Sequence, residues 1–224
     1  MKIFYLRILS LLPHFIYKRL NLNTYFSNSS FKKIIENDHI TKELFEGRSE
    51  EFRTFHNDCK IYAEYGCGLS TLYSTNIAKK RTFSVDTDSN WVQNIKDNIF
   101  ESNIIDIHYI DIGPTGNWGM PQSYSKRNNF KNYLNIIWSN NDKPDFVLID
   151  GRFRIASFLT SLKFAEKNTI ICFDDYVNRK IYNIVEEFEQ PFLLNDRQAY
   201  FKVSKDYDKE KLNNLIDKFE YVLI

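Results

Sequence analysis

Glycine is scarce in this 224-residue chain, with seven in all, and proline (five), cysteine (three) and methionine (two) are scarcer still. No internal repeat or low-complexity linker is present, so neither a solenoid nor a string of tethered modules is expected. Cys59, Cys67 and Cys172 have neither a disulfide framework nor metal-ligand spacing. Cys172 lies inside the apolar run "TIICF", as a small buried thiol would, and the set suits a reducing cytoplasm better than a secreted fold. Long apolar runs are missing too. The opening "MKIFYLRILSLLPHFIYKRL" is interrupted by Arg7, ended by Pro13 and followed by no small-residue cleavage site, which makes it too short and too charged to span a bilayer. It reads as a basic amphipathic helix, and two placements stay open. Residues 1–20 could touch a membrane surface peripherally, or they could pack on the domain or on a second copy in a homodimer. An excess of one charge is also lacking. Thirty basic side chains face 29 acidic ones, so the molecule is no nucleic-acid polycation. Six Lys or Arg and no acid precede Glu36, however, leaving the remainder acidic.

Beyond residue 58, short β-rich runs alternate with helical periods. Strands are predicted at 60–65, 81–86, 106–112, 145–150 and 169–174. Between them, Trp91, Ile95 and Ile99 recur every four residues behind the capping candidates Asp88 and Ser89. Ile155, Phe158, Leu159, Leu162 and Ala165 form a second apolar stripe, and Ile181, Ile184, Val185 and Phe188 a third. Such alternation implies parallel strands with right-handed crossovers. The tail, "PFLL", "NDRQ", "AYFKVS", reads as an antiparallel hairpin, and a last helix carries Leu212, Leu215, Ile216 and Phe219. The expected fold is α/β: a doubly wound, mostly parallel Rossmann-like sheet over 58–224, preceded by a basic helical segment, 1–57.

The most informative stretch is "IYAEYGCGLST", in which Gly66 and Gly68 flank Cys67 directly after a strand. A dinucleotide fingerprint would need a third glycine where Thr71 stands. What remains is E-x-G-x-G-x-S, with Asp86 closing the next strand 22 residues after Glu64. Each predicted strand of the parallel set ends in an acid: Glu64, Asp86, Asp111, Asp150 and Asp174. Ligands of open α/β sheets sit at that edge, and gathered acids need a cation or hydrogen-bond donors. Over residues 58–203 the pattern resembles class I S-adenosylmethionine-dependent methyltransferases. The resemblance implies that the acid before the glycines helps hold the methionine ammonium and that the acid ending the second strand takes the ribose hydroxyls. The cofactor-binding set is then Glu64, Gly66, Gly68, Ser70, Asp86 and Asp111, with Trp118 of the glycine- and proline-rich loop 111–124 able to stack on adenine or a sugar.

"LIDGRFR" and "CFDDYVNRK" resemble the cation-dependent O-methyltransferases of the catechol type. That likeness implies Mg²⁺ or Mn²⁺ held by Asp150, Asp174 and Asp175, oxygen ligands suited to a hard ion. Asp174 and Asp175 as mere helix caps is the alternative. Phe153 stands where the catechol enzymes place a lysine base, which leaves Asp150, Asp175 or a metal-bound hydroxide as base and Arg152 as a further catalytic candidate. A weaker likeness to glucuronoxylan 4-O-methyltransferases, carried also by "TFSVDTDSNWV" and "DDYVNRKIYNIVEEF", implies a sugar hydroxyl as acceptor. Arg152, Arg154 or Arg179 would then grip an acidic sugar or phosphate. The expected activity is O-methylation of a small-molecule or carbohydrate hydroxyl, in surface polysaccharide biosynthesis, by a cytoplasmic enzyme. No Asn-Pro-Pro-Tyr motif and no basic tract point to a nucleic-acid acceptor. The alternative is a non-catalytic scaffold of the same fold that binds a partner or membrane through its basic N-terminus.

Overall fold

A computed structural model describes residues 39–116 and 119–223. The expected membrane or subunit contact of residues 1–20, and Trp118, lie outside the described residues. Seven strands form one sheet in the order β3-β2-β1-β4-β5-β7-β6. The parallel set is β1 (Ile61–Tyr65), β2 (Arg81–Asp86), β3 (Ile105–Tyr109), β4 (Phe146–Ile149) and β5 (Ile170–Phe173). The chain then returns antiparallel through β6 (Leu193–Leu194) and β7 (Ala199–Lys202), the hairpin expected from "NDRQ".

Both faces are covered, because side chains alternate along each strand. Ala63, Tyr65, Val147 and Ile149 point into one apolar layer, Tyr62, Phe146 and Leu148 into the other. The first layer is closed by α5 (Phe130–Asn135), α6 (Arg154–Phe164) and α7 (Lys209–Phe219). The second is closed by α1 (His39–Glu43), α2 (Glu50–Asp58), α3 (Leu69–Leu72) and α4 (Ser89–Lys96). Phe52 of α2 is fully buried, with its ring 5.3 Å from Phe146 and 5.8 Å from Tyr62, so residues 39–57 pack on the sheet. All three cysteines are free and buried. Among the described residues no helix is long and apolar enough to cross a membrane.

Asp88 caps α4 by accepting from Trp91 N at 3.1 Å, and the stripe of Ile155, Phe158, Leu159, Leu162 and Ala165 is buried as its spacing requires. The third stripe differs. Residues Lys180–Glu187 form a 3₁₀ helix, whose three-residue turn stacks i, i+3 and i+6. The buried set is therefore Tyr182, Val185 and Phe188, while Ile181 is exposed.

Candidate functional site

The turn after β1 is held from every side. Gly66 N donates to Val85 O at 2.8 Å, Cys67 N to Asp86 Oδ2 at 3.0 Å and Gly68 N to Thr71 Oγ1 at 2.8 Å. Trp91 Nε1 closes the other side, donating to Cys67 O at 2.6 Å. These N–H groups are spent inside the chain, so they form no cradle for a phosphate. Gly66 is required by its φ of +94° and by close approach, since a Cβ there would fall 2.8 Å from the backbone of Gly151. Gly68 is different. Its backbone is extended at φ 176°, and a Cβ on it would meet no atom of the chain within 4 Å. Nothing internal demands a glycine at 68; a ligand laid against the turn would.

Glu64 lies beneath that turn, fully buried, and accepts from Tyr62 Oη (2.9 Å), Ser70 Oγ (2.6 Å), Ser84 Oγ (2.8 Å) and Thr71 Oγ1. Four hydroxyl donors match the acceptor capacity of a carboxylate. Burial pushes the Glu64 carboxyl up to about 7, and the hydroxyls pull the other way. The side chain expected to hold an ammonium thus braces the loop, as does Ser70. Thr71, Ser84 and Trp91 complete this bracing and were not among the expected residues. Their signal was thin, as hydroxyls are common on strands and helix starts.

Asp86 ends β2, half-buried beside the turn. It takes Thr87 N at 2.6 Å and Asp88 N at 3.0 Å besides Cys67 N. Burial raises its carboxyl above the usual range, against those three N–H groups. The loop after β3 reaches this point: Thr87 Oγ1 donates to Gly119 O at 3.3 Å, so the loop overhangs the end of β2. Strand β3 stops at Tyr109, and the Asp111 carboxylate accepts from Gly113 N at 3.0 Å and pairs with Lys126, which holds it below the usual carboxylate range.

At the ends of β4 and β5, Asp150, Asp174 and Asp175 converge as expected, one oxygen of each lying within 4.8 Å of the others. Arginines stand on those oxygens. Arg154 is buried; its Nη2 reaches Asp150 Oδ1 at 2.9 Å and Asp150 O at 3.0 Å, and its Nη1 reaches Asp175 Oδ2 at 3.3 Å and Asp174 O at 2.6 Å. Arg197 grips both oxygens of the fully buried Asp174, with Nε–Oδ1 at 2.7 Å, and lies 2.8 Å from Asp175 Oδ1 and 3.2 Å from Glu46 Oε1. Gln198 Nε2 adds a donor to Asp174 at 3.1 Å, and Arg179 pairs with Asp175 at 3.1 Å. Asp175 adopts φ +57°, a left-handed turn that aspartate tolerates better than most residues.

This donor set does not fit a divalent ion. The ion would need carboxylate lone pairs that guanidinium N–H groups already occupy, and it would add two positive charges beside two buried cations. The resemblance to the catechol-type enzymes therefore does not carry over at this point. Arg197 was missed because it falls in a hairpin turn. Continuing the pairing of Phe173 with Ala199 places Gln198 opposite Asp174 and Arg197 opposite Asp175, and that register was the available signal.

Open space over Gly68 and an acid ending β2 stand together at the carboxyl edge of a parallel sheet, where doubly wound α/β proteins bind their ligands. A methyltransferase-like protein from Silicibacter pomeroyi is 31% identical, over 77% of this chain and 93% of that one, with a TM-score of 0.69. The chain belongs to the class I S-adenosylmethionine-dependent methyltransferase superfamily. A mutant of MtNAS matches 85% of this chain and 73% of its own at 9% identity and a TM-score of 0.53, a likeness of fold alone. An RNA methyltransferase from Salinibacter ruber, solved with S-adenosyl-L-homocysteine, covers 80% and 95% at 10% identity and a TM-score of 0.44. No family model and no curated protein matches the sequence.

Proposed function

We propose that the chain transfers the methyl group of S-adenosylmethionine to a hydroxyl of a small-molecule or carbohydrate acceptor. The observation that carries the cofactor is the unfilled space over Gly68, beside a turn whose Gly66, Cys67 and Gly68 N–H groups are already paired and next to Asp86, whose carboxylate suits a ribose diol. A sulfonium nucleoside fits those features better than a dinucleotide. The acceptor oxygen attacks the methyl carbon in line as the carbon–sulfur bond breaks. The electron pair passes to sulfur, leaving S-adenosylhomocysteine, and the hydroxyl proton passes to a carboxylate. Asp150 is the candidate, with a side chain 32% exposed against 0% for Asp174 and one arginine on it, Arg154, where Asp175 carries Arg154, Arg179 and Arg197. Since the donor is already activated, holding acceptor and donor together supplies much of the rate.

Thermal denaturation with S-adenosylmethionine, S-adenosylhomocysteine and NAD tests the cofactor. A ligand at 100 times its dissociation constant stabilises by about 2.7 kcal/mol. Stabilisation by the first two and not by NAD is expected; the reverse would sink the reading. Transfer of a labelled methyl group to a panel of saccharides and small alcohols then tests the acceptor.

A further inference from the structure

Of the four arginines at the ends of β4 and β5, three are matched by acids. Arg154 holds Asp150 and Asp175, Arg179 holds Asp175, and Arg197 holds Asp174, Asp175 and Glu46. Arg152 is the exception. Its backbone N–H donates to Tyr133 Oη at 3.0 Å and its carbonyl accepts from Ser157 Oγ at 3.2 Å. Its guanidinium has no hydrogen bond or ion pair among the described residues, although the side chain is half-buried. The charged groups that act on it are Arg154, which repels it, and Asp150 and Asp86, which attract it from beyond bonding distance; Tyr133 faces it as a neutral phenol. Burial together with Arg154 lowers its proton affinity despite that attraction.

Its place in the fold gives this a use. Arg152 directly follows Gly151, whose backbone touches that of Gly66. The side chain therefore springs from the seam between the glycine turn and β4, between the acid of β2 and the acid of β4. Partial removal of a guanidinium from water without a partner is unfavourable, and the neighbouring arginines show that partners are in supply here. A planar anion would satisfy the fork in a bidentate manner.

We propose that Arg152 receives a carboxylate or phosphate group of a ligand bound against the glycine turn. This rests on the nucleoside reading above. The anion has two sources, the amino-acid carboxylate of the methyl donor or an acidic group on the acceptor. Calorimetric titrations separate them, using wild type, Arg152→Gln and Arg152→Lys, each verified by its melting curve. The probes are S-adenosylhomocysteine, 5′-methylthioadenosine (the same nucleoside and sulfur without the amino-acid part) and inorganic phosphate, added both to the free protein and to protein mixed with S-adenosylhomocysteine. A loss of tenfold or more for S-adenosylhomocysteine in Arg152→Gln, with 5′-methylthioadenosine unchanged, assigns the donor's carboxylate. A comparable loss for phosphate alone assigns the acceptor's anion. In either case Arg152→Lys is expected to fall between, keeping the charge without the fork. Unchanged affinities in a folded Arg152→Gln would overturn the assignment and leave the nucleoside reading standing. If wild type binds phosphate through Arg152 but neither nucleoside, the nucleoside reading fails and the anion site survives. Binding of none of the three probes by wild type overturns both.

Discussion

Gly66 and Gly151 lie back to back, so that a Cβ built on Gly66 falls 2.8 Å from the main chain of Gly151 and one built on Gly151 falls 2.8 Å from Gly66 N. This contact joins the end of β1 to the end of β4. Gly66→Ala would add a clash to a left-handed φ of +94°. We expect it to lower unfolding stability by about 3 kcal/mol in urea titrations.

Gly68→Ala should behave in the opposite manner. Its extended backbone and empty surroundings accept a methyl group, so the melting temperature should stay within a degree or two of wild type. Affinity for S-adenosylhomocysteine should drop at least tenfold. A full-affinity Gly68→Ala variant would mean that the ligand lies elsewhere.

Arg197→Met removes the main partner of the fully buried Asp174. A buried charge left uncompensated costs about 3–5 kcal/mol. Adding Asp174→Asn should recover part of that loss, and a double-mutant cycle in urea measures the coupling. Additive effects would show that the two side chains do not cooperate.

Because arginines occupy the carboxylates of Asp150, Asp174 and Asp175, chelators should leave S-adenosylhomocysteine binding unchanged. Titration with Mn²⁺ followed by electron paramagnetic resonance should show no stoichiometric uptake. One ion per chain, abolished by Asp174→Asn, would restore the metal centre.

Two buried groups should give stability opposite pH slopes. The Glu64 carboxyl is raised from 4.5 to about 7 by burial. The proton it gains on folding therefore stabilises fully below pH 4.5, and this contribution, about 3 kcal/mol, disappears as pH climbs to 7. His56 is lowered from 6.5 to about 3, by burial first and then by Lys80. Its contribution is present above pH 6.5 and is lost as pH falls toward 3. Melting temperatures from pH 4 to 8 should show Glu64→Gln gaining on wild type as pH rises from 4.5 to 7. His56→Met should gain on wild type below pH 6.5. Parallel curves would remove these groups from the pH response.

Much of the fold was legible because it rests on local pattern. Periods of two and of about four residues mark β1 to β5 and α4 and α6, and Asp88 announces its own cap. The Lys180–Glu187 stripe was misjudged as a four-residue period because helical spacing in sequence does not distinguish α from 3₁₀ turns. Packing of Tyr182, Val185 and Phe188 onto one layer does.

By itself the sequence determined that acids stand at or next to the carboxyl ends of four of the five parallel strands and that a two-glycine turn stands at the first of them, since both follow from residue order along short segments. Only the tertiary structure decided what each acid does. Glu64 became a brace because hydroxyls from β2 and α3 enclose it, Asp111 turned away to Lys126, and Asp174 and Asp175 were claimed by an arginine from a hairpin. For the buried Glu64 and Asp174 the outcome depends on which distant side chains reach the carboxylate in a dry interior, where an unmatched charge is too costly to persist.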